Sequence, residues 1–95
     1  MLIQSVRLTF APENADKGES TLRELRDASR KEEGVNSYDV ARSKDNPNVF
    51  VVWEVYRDGA ALQSHMATEH FQRLVMSVLR SMASDLSIEV ALPID

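Results

Sequence analysis

The sequence predicts an α+β domain in which four strands form one antiparallel sheet and helices cover one of its faces. Three observations support this. Apolar and polar residues alternate in separate short segments, apolar residues recur at helical spacing in the segments between them, and the order of elements is strand, helix, strand, strand, helix, strand. This is the βαββαβ order of ferredoxin-like folds, and a chain of 95 residues suits a single domain, residues 1–95.

The first predicted strand is LIQSVRLTF, residues 2–10, and Pro12 ends it. Its alternation places on one face Leu2, Val6, Leu8 and Phe10. The charged segment of residues 14–34 follows, with leucines at helical spacing. It is predicted to be a helix that starts within residues 14–20, because a glycine weakens its first turn, and that ends at Gly34.

Two strands come next and are predicted to pair as a hairpin: residues 35–44 and residues 49–57, joined by the turn sequence DNPN. The second of these strands is apolar on both faces, with Phe50, Val52 and Tyr56 on one side and Val51, Trp53 and Val55 on the other. Helices can cover only one face of the sheet, so the other needs a second cover. We therefore predict a homodimer that forms through sheet-to-sheet packing.

The last third of the chain begins with Asp58, a predicted N-cap for a helix over residues 59–67, and Thr68 is a second predicted N-cap. The strongest amphipathic pattern in the protein follows, formed by Phe71, Leu74, Val75, Val78, Leu79 and Met82. LSIEVALPI, residues 86–94, alternates again and is the predicted closing strand, which Pro93 stops.

Composition excludes several classes of function. The net charge is −4 and the basic residues are interleaved with acids, which argues against a nucleic-acid-binding face. Cysteine is absent, so a thiol nucleophile, a thiolate metal site and disulfides are all excluded. The N-terminal residues alternate and no window approaches 18 apolar residues, so we expect neither a signal peptide nor a membrane span, and the default location is cytoplasmic.

Two polar residues stand where core residues are expected. Glu54 lies in the apolar third strand, on the face of Phe50 and Val52, and His65 lies on the inner face of the following helix. Glu54 is either a structural carboxylate bonded to Arg7, Arg42 or a backbone amide, or a functional group that accepts a proton or orients His65. Histidine has an ordinary pKa near 6.5, so His65 is the best candidate for a proton acceptor at neutral pH.

Five further residues are candidates for substrate contact: Tyr38, Tyr56, Asn36, Phe71 and Trp53. The tyrosine hydroxyls could bind a substrate oxygen, Asn36 is a polar group at the end of the second strand, and Phe71 belongs to the apolar stripe of the last helix. Trp53 has the opposite parity to Glu54, so dimer packing is its first interpretation and a wall of the partner's pocket is the second.

A metal site is not predicted. His65 and His70 are five residues apart, which on a continuous helix separates them by about 140°, and this spacing suits no ligand pair on a single helix. His65 and His70 would share a face only if a break in the helix at Thr68 turned His70 toward His65. A site would also need to recruit Asp or Glu.

The segment from Ser29 to Leu74 resembles the middle of the antibiotic biosynthesis monooxygenase (ABM) family, small proteins that form dimeric α/β barrels. The matching features are Gly34, SYDV at 37–40, WEVYRD at 53–58, Leu62, His65 and HF at 70–71. The resemblance implies a homodimer with a pocket between the sheet and helices of each subunit. It also implies a reaction with molecular oxygen that uses no metal or flavin cofactor, in which the protein takes a proton from an electron-rich phenol or quinol.

Three functions remain open at this point. The first is a cofactor-independent monooxygenase acting on a small aromatic quinol or polyketide-like substrate, with His65 as proton acceptor and Glu54 as support. The second is an isomerase or other proton-transfer enzyme on the same scaffold. The third is a non-catalytic dimeric module for ligand binding or stress response.

Overall fold

A computed structural model describes all residues from 1 to 95. Its strands are β1 (Leu2–Phe10), β2 (Val35–Arg42), β3 (Val49–Tyr56) and β4 (Ala83–Ala91). Its helices are α1 (Ala15–Ser29), which follows a short 3-10 turn (Pro12–Asn14), α2 (Gly59–Met66), and α3, which is π-helical over Phe71–Leu79 and closes with one α-helical turn over Arg80–Met82. None of these helices has the length and apolar character needed to cross a membrane.

The four strands form one antiparallel sheet with the order β2-β3-β1-β4. The predicted βαββαβ arrangement is thereby confirmed. Since β1 lies between β3 and β4, Gln4 pairs with Glu54 on one side and with Val90 on the other. The alternation of side chains then fixes one inner face, toward the helices, and one outer face.

The core lies between the inner face of the sheet and the helices α1 and α3. Its buried side chains are Val6, Leu8, Phe10, Ala15, Leu22, Leu25, Tyr38, Phe50, Val52, Leu74 and Leu79. The predicted parity of β1 and β3 is confirmed, because the buried residues of both strands are even-numbered, apart from Val49 at the start of β3. In α3 only Leu74 and Leu79 are fully buried, and the rest of the predicted stripe is partly exposed. These two leucines are five residues apart, which matches the i→i+5 hydrogen bonding of a π-helix.

Both capping predictions are confirmed. The Asp58 carboxylate accepts a hydrogen bond from the Ala61 amide at 2.9 Å and starts α2. The Thr68 hydroxyl accepts one from the Phe71 amide at 3.2 Å and also donates to the His65 carbonyl at 2.7 Å. Thr68 thus ends one helix and starts the next, which produces the break between α2 and α3.

Gly34 does not end α1, as the sequence suggested, because that helix stops at Ser29 and the intervening residues form turns. Its role is instead a close approach between segments: a Cβ at Gly34 would lie 2.4 Å from the Ala61 Cβ of α2. The loop before β2 therefore packs directly on α2, and this packing requires a residue without a side chain.

Gly34→Ala is expected to destabilise the protein by about 1–3 kcal/mol, because the added methyl group must displace α2. Gly59→Ala is the matched control, since a Cβ there meets nothing within 4 Å. It should leave stability unchanged or raise it slightly by reducing the freedom of the unfolded chain. Urea denaturation of both variants checks this; equal stabilities for the two alanine variants would contradict the close approach.

Two apolar surfaces remain exposed in the single chain. On the outer face of the sheet, Trp53 is 48% exposed, and Val51 beside it is also exposed. On the inner face the second half of β4 is not covered by the helices, and there Ile88 is 55% exposed and Val90 is similarly open. The helices therefore cover less of the inner face than the sequence suggested.

Candidate active site

A cavity of about 110 Å³ lies between the sheet and the helices. Fifteen residues line it and twelve of them are hydrophobic, so its walls are mainly apolar. The three polar residues are Gln4, Glu54 and His65, contributed by β1, β3 and α2. Ile88 belongs to the lining and is exposed, so the cavity opens beside β4.

Glu54 shares one face of β3 with Phe50, Val52 and Tyr56, as its parity predicted, and the structure shows that this is the buried inner face. One of its oxygens, Oε1, accepts a short hydrogen bond from the Tyr56 hydroxyl and another from the Gln4 amide nitrogen at 3.2 Å. The predicted structural partners are wrong. Arg42 binds the Pro47 carbonyl and the carboxylates of α1 instead, and Arg7 points to the outer face, where it is exposed.

Burial raises the pKa of the Glu54 carboxyl, because a charged carboxylate loses its hydration in the core. The hydrogen bond from Tyr56 and the proximity of His65 favour the ionised form and offset part of this effect. Burial and the neighbouring Glu54 also raise the pKa of the Tyr56 hydroxyl, so Tyr56 keeps its proton and remains a donor. The site therefore contains a carboxyl group that holds a proton more tightly than an exposed one.

Because its pKa is raised in the folded state, Glu54 contributes stability that is complete below its ordinary pKa of 4.5 and is lost as the pH rises through the folded-state value. Glu54→Gln keeps the acceptor for Tyr56 but cannot ionise. We expect the free energy of unfolding of the wild type, relative to Glu54→Gln, to fall as the pH is raised above 4.5. Urea unfolding of both proteins at several pH values measures this difference in the free energy of unfolding. Glu13→Gln, at an exposed carboxylate, is the control and should give a curve parallel to the wild type.

His65 lies on the inner face of α2 and is only 1% exposed. Its Nδ1 is 2.8 Å from the Glu32 carboxylate oxygen Oε2. Aromatic rings surround the imidazole, with centroid distances of 5.6 Å to Tyr38, 5.5 Å to Tyr56 and 5.2 Å to Phe71. Since Nδ1 is engaged and the ring lines the cavity, Nε2 is the nitrogen that a ligand can reach.

Glu32 is the residue that the sequence did not single out. It lies in the turns between α1 and β2, and the same Oε2 that binds His65 is 2.6 Å from Nε2 of His70. The break at Thr68 turns His70 back toward His65, which a continuous helix would not allow. The carboxylate that holds His65 is therefore Glu32, and no hydrogen bond joins His65 to Glu54.

The donor atoms of Glu32, His65 and His70 lie within 4.8 Å of one another, a set that could in principle hold a metal ion. Ligands bound tetrahedrally at 2.0–2.1 Å stand about 3.3 Å apart. The two N···O distances here are 2.8 and 2.6 Å, which are hydrogen-bond distances. The geometry fits two imidazole N–H groups that donate to one carboxylate oxygen.

Of the five residues predicted to contact a substrate, only two line the cavity. Tyr38 and Phe71 line the cavity, together with Glu54 and His65. Tyr56 is fully buried and contacts Glu54, but it is not part of the cavity wall. Asn36 is exposed and Trp53 lies on the outer face of the sheet, so neither reaches the cavity of its own chain.

Comparison with known proteins agrees with this architecture. The family model for antibiotic biosynthesis monooxygenase (ABM) matches residues 1–76. "Putative monooxygenase YcnE" of Bacillus subtilis (strain 168) is 33% identical over 75 residues, which is 79% of each chain. A crystal structure of an antibiotic biosynthesis monooxygenase matches all of both chains with a TM-score of 0.93 at 31% identity. PA3566 from Pseudomonas aeruginosa matches with a TM-score of 0.92 at 31% identity, over 99% of this chain and 94% of that one. The chain belongs to the antibiotic biosynthesis monooxygenase family.

Proposed function

We propose that this protein is a cofactor-independent monooxygenase that oxidises a small aromatic quinol, with His65 as the proton acceptor. One observation carries the proposal: a buried imidazole lines an apolar cavity while a carboxylate engages its other nitrogen. This arrangement leaves one basic nitrogen facing a space with mainly apolar walls. Proton removal from a bound hydroxyl is the reaction that such a pair performs best.

The reaction balances with molecular oxygen as the only oxidant. His65 takes the hydroxyl proton of the quinol, and the electron-rich ring carbon of the resulting anion forms a bond to oxygen. His65 then returns its proton to the outer oxygen of the adduct. The ring carbon loses its hydrogen as a proton and forms a C=O bond while the O–O bond breaks, so the outer oxygen leaves as water. The ring product has two hydrogens fewer and one oxygen more than the quinol, and it is a hydroxyquinone.

Glu54 supports this chemistry from the opposite wall. Its Oε1 is occupied by Tyr56 and Gln4, so Oε2 is the atom left for a substrate. With its raised pKa, Glu54 can hold a proton and donate it to the second oxygen of the quinol. A hydrogen bond there orients the ring with its other hydroxyl toward His65.

The size of the cavity favours a substrate with one ring. An apolar cavity of about 150 Å³ takes up benzene. The cavity here measures about 110 Å³ and is open beside Ile88, so a single ring fits if part of it or its substituent occupies the opening. A polyketide of several fused rings would need the helices to move away from the sheet.

We also propose that the protein forms a homodimer in which the outer faces of the two sheets pack together. Support comes from Trp53 and Val51, large apolar side chains that stay exposed in the single chain on a face that no helix covers. Exposed aromatic residues at the centre of a sheet face are typical anchors of an interface. Residues on the outer face take no part in the cavity of their own chain, so dimer and site can be tested separately.

Oxygen consumption with a panel of quinols tests the proposal. We expect single-ring quinols to give uptake above the rate of spontaneous oxidation, with one oxygen atom from labelled O₂ in the product, and fused three-ring substrates to give much less. Saturable binding of the quinols without oxygen uptake would assign a ligand-binding module instead. Proton exchange or rearrangement of substrate without uptake would assign a proton-transfer enzyme.

A further inference from the structure

We infer that Glu32 is a positioning residue that selects the tautomer of His65, and that His70 fixes Glu32 for this task. The inference deepens the proposed function and rests on it for its catalytic consequence. The three residues come from three segments: Glu32 lies in the loop before β2, His65 in α2, and His70 immediately before α3. They meet in one cluster, although 33 and 38 residues of sequence separate Glu32 from the two histidines.

The Glu32 carboxylate fixes which nitrogen of His65 carries the hydrogen. An ionised carboxylate only accepts hydrogen bonds, so a nitrogen 2.8 Å from Oε2 of Glu32 must carry the hydrogen. Nδ1 of His65 is therefore the protonated nitrogen. In the neutral ring the lone pair then belongs to Nε2, which is the nitrogen available to the cavity. Glu32 thus places the basic site where a substrate can be.

The same carboxylate balances the charge that catalysis would create. When His65 takes a proton it becomes an imidazolium, and at 1% exposure water cannot stabilise it. The negative charge of Glu32, in direct contact with the ring, does so instead. The proton stays on Nε2 until it is returned, and no transfer to Glu32 is required.

His70 makes a second contact with the side chain of Glu32. The backbone of Glu32 is held by turn hydrogen bonds at both sides, from its own amide to the Ser29 carbonyl at 3.1 Å and from the Val35 amide to its carbonyl at 3.2 Å. Its side chain would still be free to rotate toward solvent, to which it is 15% exposed. The bond from Nε2 of His70 at 2.6 Å removes that freedom.

Nitrogen-15 NMR of the histidine side chains tests the tautomer directly and needs no substrate. In the wild type, at a pH where His65 is neutral, we expect its Nδ1 to carry the hydrogen. Glu32→Gln should lose this preference, because the amide can present either its oxygen or its NH₂ to the ring. Glu33→Gln is the matched control: this neighbouring carboxylate is 94% exposed and touches neither histidine. It should leave the spectrum of His65 unchanged.

Kinetics then measures the consequence. Glu32→Gln is expected to lower kcat by about 10²-fold with little change in KM, because Glu32 holds His65 and does not touch substrate. His70→Phe should lower kcat by less, about 3-fold to 10-fold. His70→Gln keeps a hydrogen-bond donor for Glu32, so its kcat should be closer to that of the wild type than to that of His70→Phe.

Three results would overturn the inference. One is a His65 tautomer with the hydrogen on Nε2 in the wild type, and another is a tautomer that Glu32→Gln does not alter. The third is tight binding of Zn²⁺ that Glu32→Gln and His70→Phe abolish, since the cluster would then be a metal site. If no quinol is oxidised but the tautomer depends on Glu32 as expected, the proposed function fails while this inference stands.

Discussion

His65→Ala is expected to lower kcat/KM for quinol oxidation by about 10²–10⁴-fold, the range typical for loss of a general base. The expectation follows from the structure, because His65 is the one imidazole that lines the cavity. Of the other two polar residues in the wall, Gln4 has no basic atom and Glu54 already accepts hydrogen bonds from Tyr56 and Gln4. Steady-state oxygen uptake at saturating and limiting quinol measures the effect. The loss should fall mainly on kcat, since apolar walls supply most of the binding.

The matched control for this variant is Gln63→Ala, on the exposed side of the same helix. Gln63→Ala should retain full activity. In size-exclusion chromatography both variants should elute at the same volume as the wild type. A His65→Ala protein that is folded, has the same oligomeric state and turns over quinol at the wild-type rate would remove His65 from the mechanism. Recovery of activity by added imidazole would strengthen the assignment.

Trp53→Glu is expected to dissociate the proposed homodimer and to raise its Kd by about 30-fold or more. An aromatic residue at the centre of an interface commonly contributes 2 kcal/mol or more, and each 1.4 kcal/mol is tenfold in Kd. The introduced carboxylate adds a desolvation cost at the interface, once in each subunit. Because Trp53 is 48% exposed in the single chain and packs no core, the subunit itself should stay folded.

Analytical ultracentrifugation over a range of concentrations measures this change, and circular dichroism checks the fold. Gln63→Glu introduces the same charge on the helical side of the molecule and should leave the dimer intact. If Trp53→Glu sediments as the wild-type dimer, the outer face of the sheet is not the interface. If the wild type is already monomeric, the homodimer proposal fails at the first measurement.

The local parts of the fold followed from the sequence because local rules govern them. Alternation along β3 placed Glu54 on the face of Phe50 and Val52 and Trp53 on the opposite face, and the structure shows that the face of Glu54 is the inner one. Asp58 and Thr68 were identifiable as helix starts because a capping side chain binds an amide only three residues away. Boundaries were less accurate: β4 begins at Ala83, three residues before the predicted start.

The candidate site was predictable only in part. His65 and Glu54 stood out because a polar residue in an apolar stripe is visible in the pattern. Glu32 gave no such signal, since it is one of several charged residues in a turn and its partners lie 33 and 38 residues away. The hydrogen bond from Gln4 to Glu54 was not predictable for the same reason. Gln4 lies on β1 and Glu54 on β3, and the spacing of neighbouring residues does not show that these strands pair.

The sequence by itself determined the order of elements, which residues of each strand share a face, and the inner position of one histidine on its helix. Only the tertiary structure decided which carboxylate holds that histidine, that His70 shares it, and that Gly34 must remain small for the loop to contact α2. The physical reason is that strand and helix periods are properties of neighbouring residues. A hydrogen bond between distant segments depends on how close the packed elements come, and the chain's local pattern does not encode that distance.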